Sequence, residues 1–288
     1  MKVIHSHAND VERHLLSEDP LRQALRGFRQ KTKLKLRAGN YIIKTAENEW
    51  DAQRAVALRK YVDPKNKNDF SHLNIDLDFF DHDCDYLIVI EKQIGRVVGA
   101  ARLSSSFHGH SFPASENFQL DIFLTAAGHK LECGKLCVDP TFRNGSVIDL
   151  LMRGIAEYAR VTETRYLFGT IGGGPIEADS VVGLMKYLSD TGAGEFRYSI
   201  EPKAHMQMTS LPVAMTRFAL QKPATGAFRF RRLPSFMRFF TNAGAKVCLS
   251  PALDRERRQV SFFSLFDFQT ATIKLKTFSK KKMVQTSI

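Results

Sequence analysis

The residues best suited to chemistry lie between Leu131 and Tyr158. A short apolar run, Leu131 to Val138, carries one carboxylate near its start, Glu132. The run breaks at Asp139-Pro140 and turns through Arg143, Asn144, Gly145 and Ser146. It then passes into a stretch with Val147, Ile148, Leu151, Ile155 and Tyr158 at helical spacing. A strand, a glycine turn and a helix start, in that order, make an anion site. Backbone N–H groups and the positive end of the helix dipole point at whatever docks there. A carboxylate at one end of the strand and an anion site at the other suit a base working on a phosphate-bearing cosubstrate. Two plainer alternatives stay open. Glu132 also fits a structural carboxylate paired with Lys135 or a backbone N–H, and the turn fits an ordinary helix cap by Asn144 or Ser146.

Other chemistry-bearing clusters are weaker. Arg102 ends an apolar run beside a long loop, so it fits either the carboxylate of a small acceptor or a salt bridge to Asp81 or Asp85. Those two aspartates equally fit an acceptor's ammonium. Asp81-His82-Asp83-Cys84-Asp85 and His108-Gly-His110 mix hard and soft metal ligands without a recognised spacing, so the reading is a solvated acidic loop and no metal. Gly172-Gly173-Gly174 lacks the Gly-Lys-Ser/Thr ending of a phosphate loop and reads as a turn. Phe228 to Phe240 interleaves phenylalanines with arginines. It fits a helix with buried rings, an anionic membrane surface, or an acidic carrier protein. Nucleic acid ranks last, because no recognised nucleic-acid motif accompanies the segment.

These residues need a scaffold, and the chain is long enough to supply one. It has 288 residues and a formal net charge of +12, which favours acidic partners. No apolar run approaches a membrane span and the N-terminus has no signal-peptide core, so the expected place is the cytoplasm. The four cysteines have no metal or redox spacing and read as reduced thiols. Residues 1–38 read as a basic N-terminal segment whose Leu21, Leu25 and Phe28 share a helical face. Residues 39–270 read as the folded domain and 271–288 as a basic disordered tail. Within the domain the pattern predicts a strand at Tyr41–Ile43 and a helix over 47–61. A polar loop to Asp76 follows, then strands at 85–91 and 97–103, joined by a hairpin turn. Ser104 to Gly128 reads as a long loop. After the strand–turn–helix unit come a strand at 165–170, a helix over 177–188, and late strands at 246–249 and 260–268. That order is a mixed α/β (α+β) layout in one domain with a C-terminal extension.

Several motifs in this order resemble one branch of the GNAT acyltransferase superfamily. They are Asp81-x-x-x-Asp85-Tyr-Leu-Ile-Val, Val98-Gly-Ala-Ala-Arg102-Leu, and Leu131-Glu-x-Gly-Lys-x-Cys-Val-Asp-Pro-x-x-Arg-Asn-Gly145. Arg165-Tyr-Leu-Phe-Gly169, Ala243-Gly-Ala-Lys-Val-Cys248 and Pro251-Ala-Leu-Asp254 follow. The branch holds the ornithine N-acyltransferases and long-chain N-acyl amino acid synthases, with acyl-homoserine-lactone synthases as more distant relatives. The resemblance implies the GNAT fold and no permanently bound cofactor. The cosubstrate would be an acyl chain on the phosphopantetheine of acyl carrier protein, or acyl-CoA, and the acceptor the α-amine of an amino acid, most simply ornithine. It implies Glu132 as the catalytic acidic residue, with Arg102, Asp81, Asp85 and Lys135 shaping the acceptor site. Arg143, Asn144, Gly145 and Ser146 would cradle the phosphopantetheine phosphate. Many relatives carry arginine where this chain has Lys135, which keeps the charge but not the planar fork. Partners would be acyl carrier protein and the inner face of an anionic membrane, and nucleic acid would not be among them.

Overall fold

The computed structural model describes residues 19–63, 77–172, 176–194, 197–220, 235–270 and 284–285. The polar loop up to Asp76, most of the glycine run at 172–174, the Phe228–Pro234 part of the basic aromatic segment and nearly all of the C-terminal tail lie outside them. The chain forms two compact units.

The first unit comprises residues 1–111, 131–164 and 275–288. After a short helix α1 (Asp19–Ala24), strands β1 (Lys35–Ala38) and β2 (Tyr41–Thr45) form a hairpin. Helix α2 (Glu49–Val62) follows. Its start is capped by Asn48, which accepts the Asp51 N–H at 3.0 Å, and it ends on Arg59 and Lys60, as the helix dipole favours. Strands β3 (Asp85–Glu91), β4 (Arg96–Ser105) and β5 (His129–Val138) then extend the sheet. The order is β5-β4-β3-β2-β1, antiparallel at every step. Nearly every residue of β3 and β4 is buried, which explains their continuous apolar runs: both faces are covered. Leu25, Phe28, Ala52, Ala55, Val56 and Leu58 pack with Tyr86, Ile88 and Ala100 on one face. The second face is covered by α3 (Ser146–Val161), whose Val147, Leu151, Gly154, Ile155 and Tyr158 form the buried stripe expected from their spacing.

Close approach of α3 to the sheet depends on two glycines. A Cβ on Gly99 would lie 2.6 Å from Val147 Cγ1, and one on Gly154 would lie 2.7 Å from Ile43 Cγ2 and 2.8 Å from Leu87 Cδ2. Gly154→Ala should therefore destabilise the protein, although alanine favours a helix by about 1 kcal/mol. Overpacking a filled core costs about 1–3 kcal/mol, and the β-branched Ile43 has little freedom to yield. A lower urea midpoint checks this; a higher one would show that the helix is not pressed against the sheet.

The second unit comprises residues 112–130 and 165–274. Strand β6 (Thr164–Gly172) pairs antiparallel with β9 (Gln259–Asp267). β9 also pairs with β7 (Lys246–Val247) and β8 (Ala252–Asp254). Helices α4 (Ala178–Asp190), α5 (Leu211–Leu220) and α6 (Ser235–Asn242) complete it. The 104–128 region, expected as loop, contributes a short strand, Phe118–Gln119, paired with Glu201–Pro202, and a helical turn, Asp121–Thr125. Phe112, Phe118 and Phe123 sit in an aromatic core with Tyr166, Phe168 and Phe263. In the described part of the basic aromatic segment, Met237 is fully buried while Arg238 faces solvent. The fold is thus mixed α/β with antiparallel sheets, as the sequence pattern predicts.

Candidate active site

Strand register decides which candidate side chains meet. On β4, Arg102 and Ser104 are alternate residues and share a face. Glu132 of β5 lies opposite Ser104, and Gly134 opposite Arg102. Glu132 and Arg102 therefore project from the same face, the one that α2 covers, and both are buried, at 4% and 3% exposure. Cys133 lies opposite Leu103 on the reverse face.

Between Gly134 and Cys137 the register slips by one residue: Lys135 and Leu136 together oppose Ala101. Lys135 adopts φ 50°, a left-handed conformation that a non-glycine residue takes only where the surroundings hold it. The result is a β-bulge, which bends the strand and re-aims its side chains beyond Glu132.

Arg102 is fixed by carboxylates. Its Nη1 donates to Asp78 Oδ1 at 2.5 Å and to Asp81 Oδ1 at 3.1 Å. Asp81 is fully buried and also accepts from Arg59 at 3.0 and 3.2 Å, from the Tyr86 hydroxyl at 2.7 Å and from the Asp78 N–H at 2.9 Å. Burial alone would raise its pKa. The hydrogen bond and charge of Arg59, the charge of Arg102 and the Tyr86 hydroxyl outweigh it and hold the carboxyl at about 2. The Arg102–Asp81 ion pair weighed from the sequence is thus present. It belongs to a network that also includes Asp78, Arg59 and Tyr86, none of which the motifs single out. The Asp78-x-x-Asp81 spacing was the available signal, for the two form a reciprocal capping box around the Phe79–Asp81 turn.

Asp85 is elsewhere. It pairs with Leu103 on the α3 face, away from Glu132. Its oxygens accept the N–H groups of Lys31 and Thr32, each at 2.8 Å, and the Tyr158 hydroxyl at 2.9 Å. This carboxylate anchors the segment before β1 across the end of the sheet. His108, considered as a metal ligand, joins the same strap: its Nε2 lies 2.6 Å from Thr32 Oγ1. Among the described residues, no group of three or more His, Cys, Asp or Glu side chains could hold a metal ion.

At the far end of β5, Arg143, Asn144, Gly145 and Ser146 are all exposed. Arg143 Nε donates to the Val138 carbonyl at 3.2 Å. Asn144 Oδ1 accepts the Ser146 N–H at 3.0 Å and its hydroxyl at 2.5 Å, a local turn just ahead of α3, whose N-cap position is Gly145 and carries no side-chain cap, so neither Asn144 nor Ser146 is the cap of the plainer reading. Gly145, at φ 91°, takes a backbone shape that side-chain-bearing residues avoid. The next N–H groups of α3 lack intrahelical acceptors and face outward with the positive end of the dipole. With no side-chain cap in place, the turn leaves the start of its helix able to receive an anion.

The thiols offer no competing nucleophile. Cys133 and Cys137 are pushed up to about 12, chiefly by burial and, for Cys133, by the charge of Glu132. Burial also raises Cys84 and Cys248. None carries much thiolate at neutral pH. This arrangement suits direct transfer to an external nucleophile: a buried carboxylate beside a fixed arginine, a bulged strand and an anion-receiving turn.

That class of site agrees with the family comparison. Residues 59–153, from the end of α2 through the first half of α3, match the acetyltransferase (GNAT) domain. A curated relative is the L-ornithine N(alpha)-acyltransferase of Agrobacterium fabrum (strain C58 / ATCC 33970). It is 24% identical over 184 residues, covering 58% of this chain and 62% of the relative. The chain thus aligns with less than two thirds of that protein's length. A CoA-dependent acyl-homoserine lactone synthase, MesI, is 14% identical, covers 80% of this chain and 88% of its own, and has a TM-score of 0.42. An aminoglycoside 6'-N-acetyltransferase complexed with coenzyme A is 10% identical, covers 78% and 96%, and has a TM-score of 0.43. At such scores the structural likenesses add no weight to the family match.

Proposed function

We propose that the chain is an N-acyltransferase that moves a long (3-hydroxy)acyl chain from the phosphopantetheine thioester of acyl carrier protein, or from acyl-CoA, to the α-amine of ornithine. The product is a lyso-ornithine-lipid-type amide. The observation that carries this reading is Glu132, a buried carboxylate on the strand that leads directly to the exposed turn Arg143–Ser146. Six residue steps at about 3.3 Å separate Glu132 from Val138, roughly 20 Å in all. An extended phosphopantetheine arm is of that order, so a phosphate on the turn puts a thioester within reach of the carboxylate.

In the proposed step the amine nitrogen bonds to the thioester carbon, the C–S bond breaks, and Glu132 takes the proton the amine must lose. The departing thiolate then recovers a proton. Arg102 keeps one buried N–H, on Nε, without an acceptor among the described residues, which leaves it able to take the acceptor's carboxylate. Asp81 and Asp78 hold that guanidinium in place. Asp85 acts at a distance, by fixing the strap. Lys135 lends charge and shapes the bulge. The proposed location is the cytoplasm, at the inner face of an anionic membrane. Among the described residues, no helix is long and apolar enough to cross a membrane.

The test is to express the chain in a host that lacks amino-acid lipids and to read the new lipids by mass spectrometry. An acylated ornithine is expected. An acyl-homoserine lactone would identify a signal synthase, and no new amide together with no thiol release in vitro would identify a non-catalytic module. A basic enzyme with an acidic carrier also predicts a salt effect on encounter. Added salt should raise the KM for acyl carrier protein and leave kcat unchanged; a fall in kcat at constant KM would refute electrostatic docking.

A further inference from the structure

Asp78 has a carboxylate oxygen to spare, and the arginine beside it has an N–H to spare. Asp78 Oδ1 accepts the Phe80 N–H at 3.0 Å and Arg102 Nη1 at 2.5 Å. Its Oδ2 accepts from no other described residue, and the side chain is 30% exposed. Arg102 is 3% exposed, and among the described residues it makes its hydrogen bonds through Nη1 alone. Its Nε edge, the side of a guanidinium that grips a carboxylate, is left buried and unsatisfied. A buried donor without a partner carries a desolvation cost that a ligand can remove.

The other aspartates of the 78–85 stretch are already satisfied. Asp81 is fully buried among Arg59, Arg102, Tyr86 and the Asp78 N–H. Asp83 is paired with Lys31, and Asp85 holds the strap on the reverse face. Of the four, Asp78 is the one with an open oxygen and access from solvent. The formal charges of Arg59, Arg102, Asp78 and Asp81 sum to zero, so the cluster as a whole favours neither sign. Its two openings have opposite signs and belong to groups in contact, so one small molecule can span them. The guest that answers both carries a carboxylate and a cation. Arg102 and Glu132 are diagonal neighbours across β4 and β5, roughly 7 to 8 Å apart. An amino acid with its carboxylate on the Arg102 edge therefore brings its α-amine toward Glu132. That amine must lose its charge to react, so a cation that stays on Asp78 has to come from the side chain.

We propose that Asp78 is the specificity residue of the acceptor site: its Oδ2 takes the side-chain ammonium of a diamino acid, while the Nε edge of Arg102 takes the carboxylate. The proposal rests on the N-acyltransferase reading above and adds the group that selects a basic acceptor over a neutral one. The pairing also keeps the side-chain nitrogen protonated and so non-nucleophilic, which directs the acyl group to the α-amine.

The test uses the full chain, a long-chain acyl thioester of acyl carrier protein, and three acceptors of the same carbon skeleton. Ornithine has the side-chain charge, Nδ-acetylornithine has the nitrogen without the charge, and 2-aminopentanoate has neither. Wild type should prefer ornithine to both analogues by about 10- to 100-fold in kcat/KM, the usual effect of one hydrogen bond to a charged group. Asp78→Asn, checked for an unchanged circular dichroism spectrum, should lose about tenfold or more on ornithine and far less on 2-aminopentanoate, so that the preference collapses. An Asp78 that only holds Arg102 in place predicts an equal loss on all three acceptors, and that result would overturn the proposal. A wild type that uses 2-aminopentanoate as well as ornithine would overturn it too, with no variant needed. Either of those results, with an acylated amino acid as product, leaves the N-acyltransferase reading standing. No thiol release with any amino acid defeats that reading and the proposal together.

Discussion

Replacing Glu132 by glutamine is expected to lower turnover by about 10² to 10⁴, the usual worth of a general base. Glutamine keeps the size and part of the hydrogen bonding but cannot take the amine's proton. An amino acid's α-amine is mostly protonated at neutral pH and only the free amine attacks. The defect should therefore shrink as pH rises from about 7 to 10, where free amine arrives without help. It should fall on kcat more than on KM, because the carboxylate acts in the transition state. Glu132 is 4% exposed on a central strand, so a structural role makes its own prediction: a lower melting temperature, with turnover per folded molecule close to wild type. Thiol release by folded Glu132→Gln across that pH range separates the two. Wild-type rates throughout would remove Glu132 from the mechanism, and with it the strongest residue-level reason to assign this reaction.

The parts of this arrangement that follow a regular period can be read without coordinates. β3 and β4 are unbroken apolar runs because helices cover both faces, and the stripe of α3 repeats at helical spacing. The parts that depend on breaks in period cannot. The bulge at Lys135 carries no glycine to announce its left-handed backbone, yet it decides which side chains beyond Glu132 share its face. Asp81 and Asp85 stand four residues apart, but the chain passes from a tight turn into a strand between them, so they serve opposite faces. Phe112, Phe118 and Phe123 form core from irregular chain, where neither the helical nor the strand period applies. Lys35–Ala38, within the range read as an N-terminal segment, joins the sheet because β2 offers it a free edge; its own four residues are half charged.

The Asp81 network carries the second large expectation, on stability. Asp81→Asn should cost about 3–5 kcal/mol, because it leaves the Arg59 and Arg102 guanidinium groups buried with too little negative charge. Asp78→Asn, at a partner whose side chain is 30% exposed, should cost no more than about 1 kcal/mol. The same network fixes an acid limb of stability. The Asp81 carboxyl is held at about 2 in the folded protein, against 3.8 for an ordinary aspartate. A lowered folded pKa means that the ionised form is favoured by folding, so the stabilisation is complete above pH 4 or so and is lost as pH falls through about 2. At 1.4 kcal/mol per unit, the lost amount is roughly 2 kcal/mol. Asp85 works in the opposite sense, since burial raises its carboxyl despite the N–H groups of Lys31 and Thr32; its protonation on acidification relieves a cost. Urea unfolding of wild type and Asp81→Asn between about pH 2 and 5 tests the assignment. The wild type should lose stability faster than the variant toward low pH, so that the gap between them narrows. A gap that stays constant would mean that Asp81 is not the titrating group, and one below about 1 kcal/mol at neutral pH would mean that solvent or other charges already satisfy the two arginines.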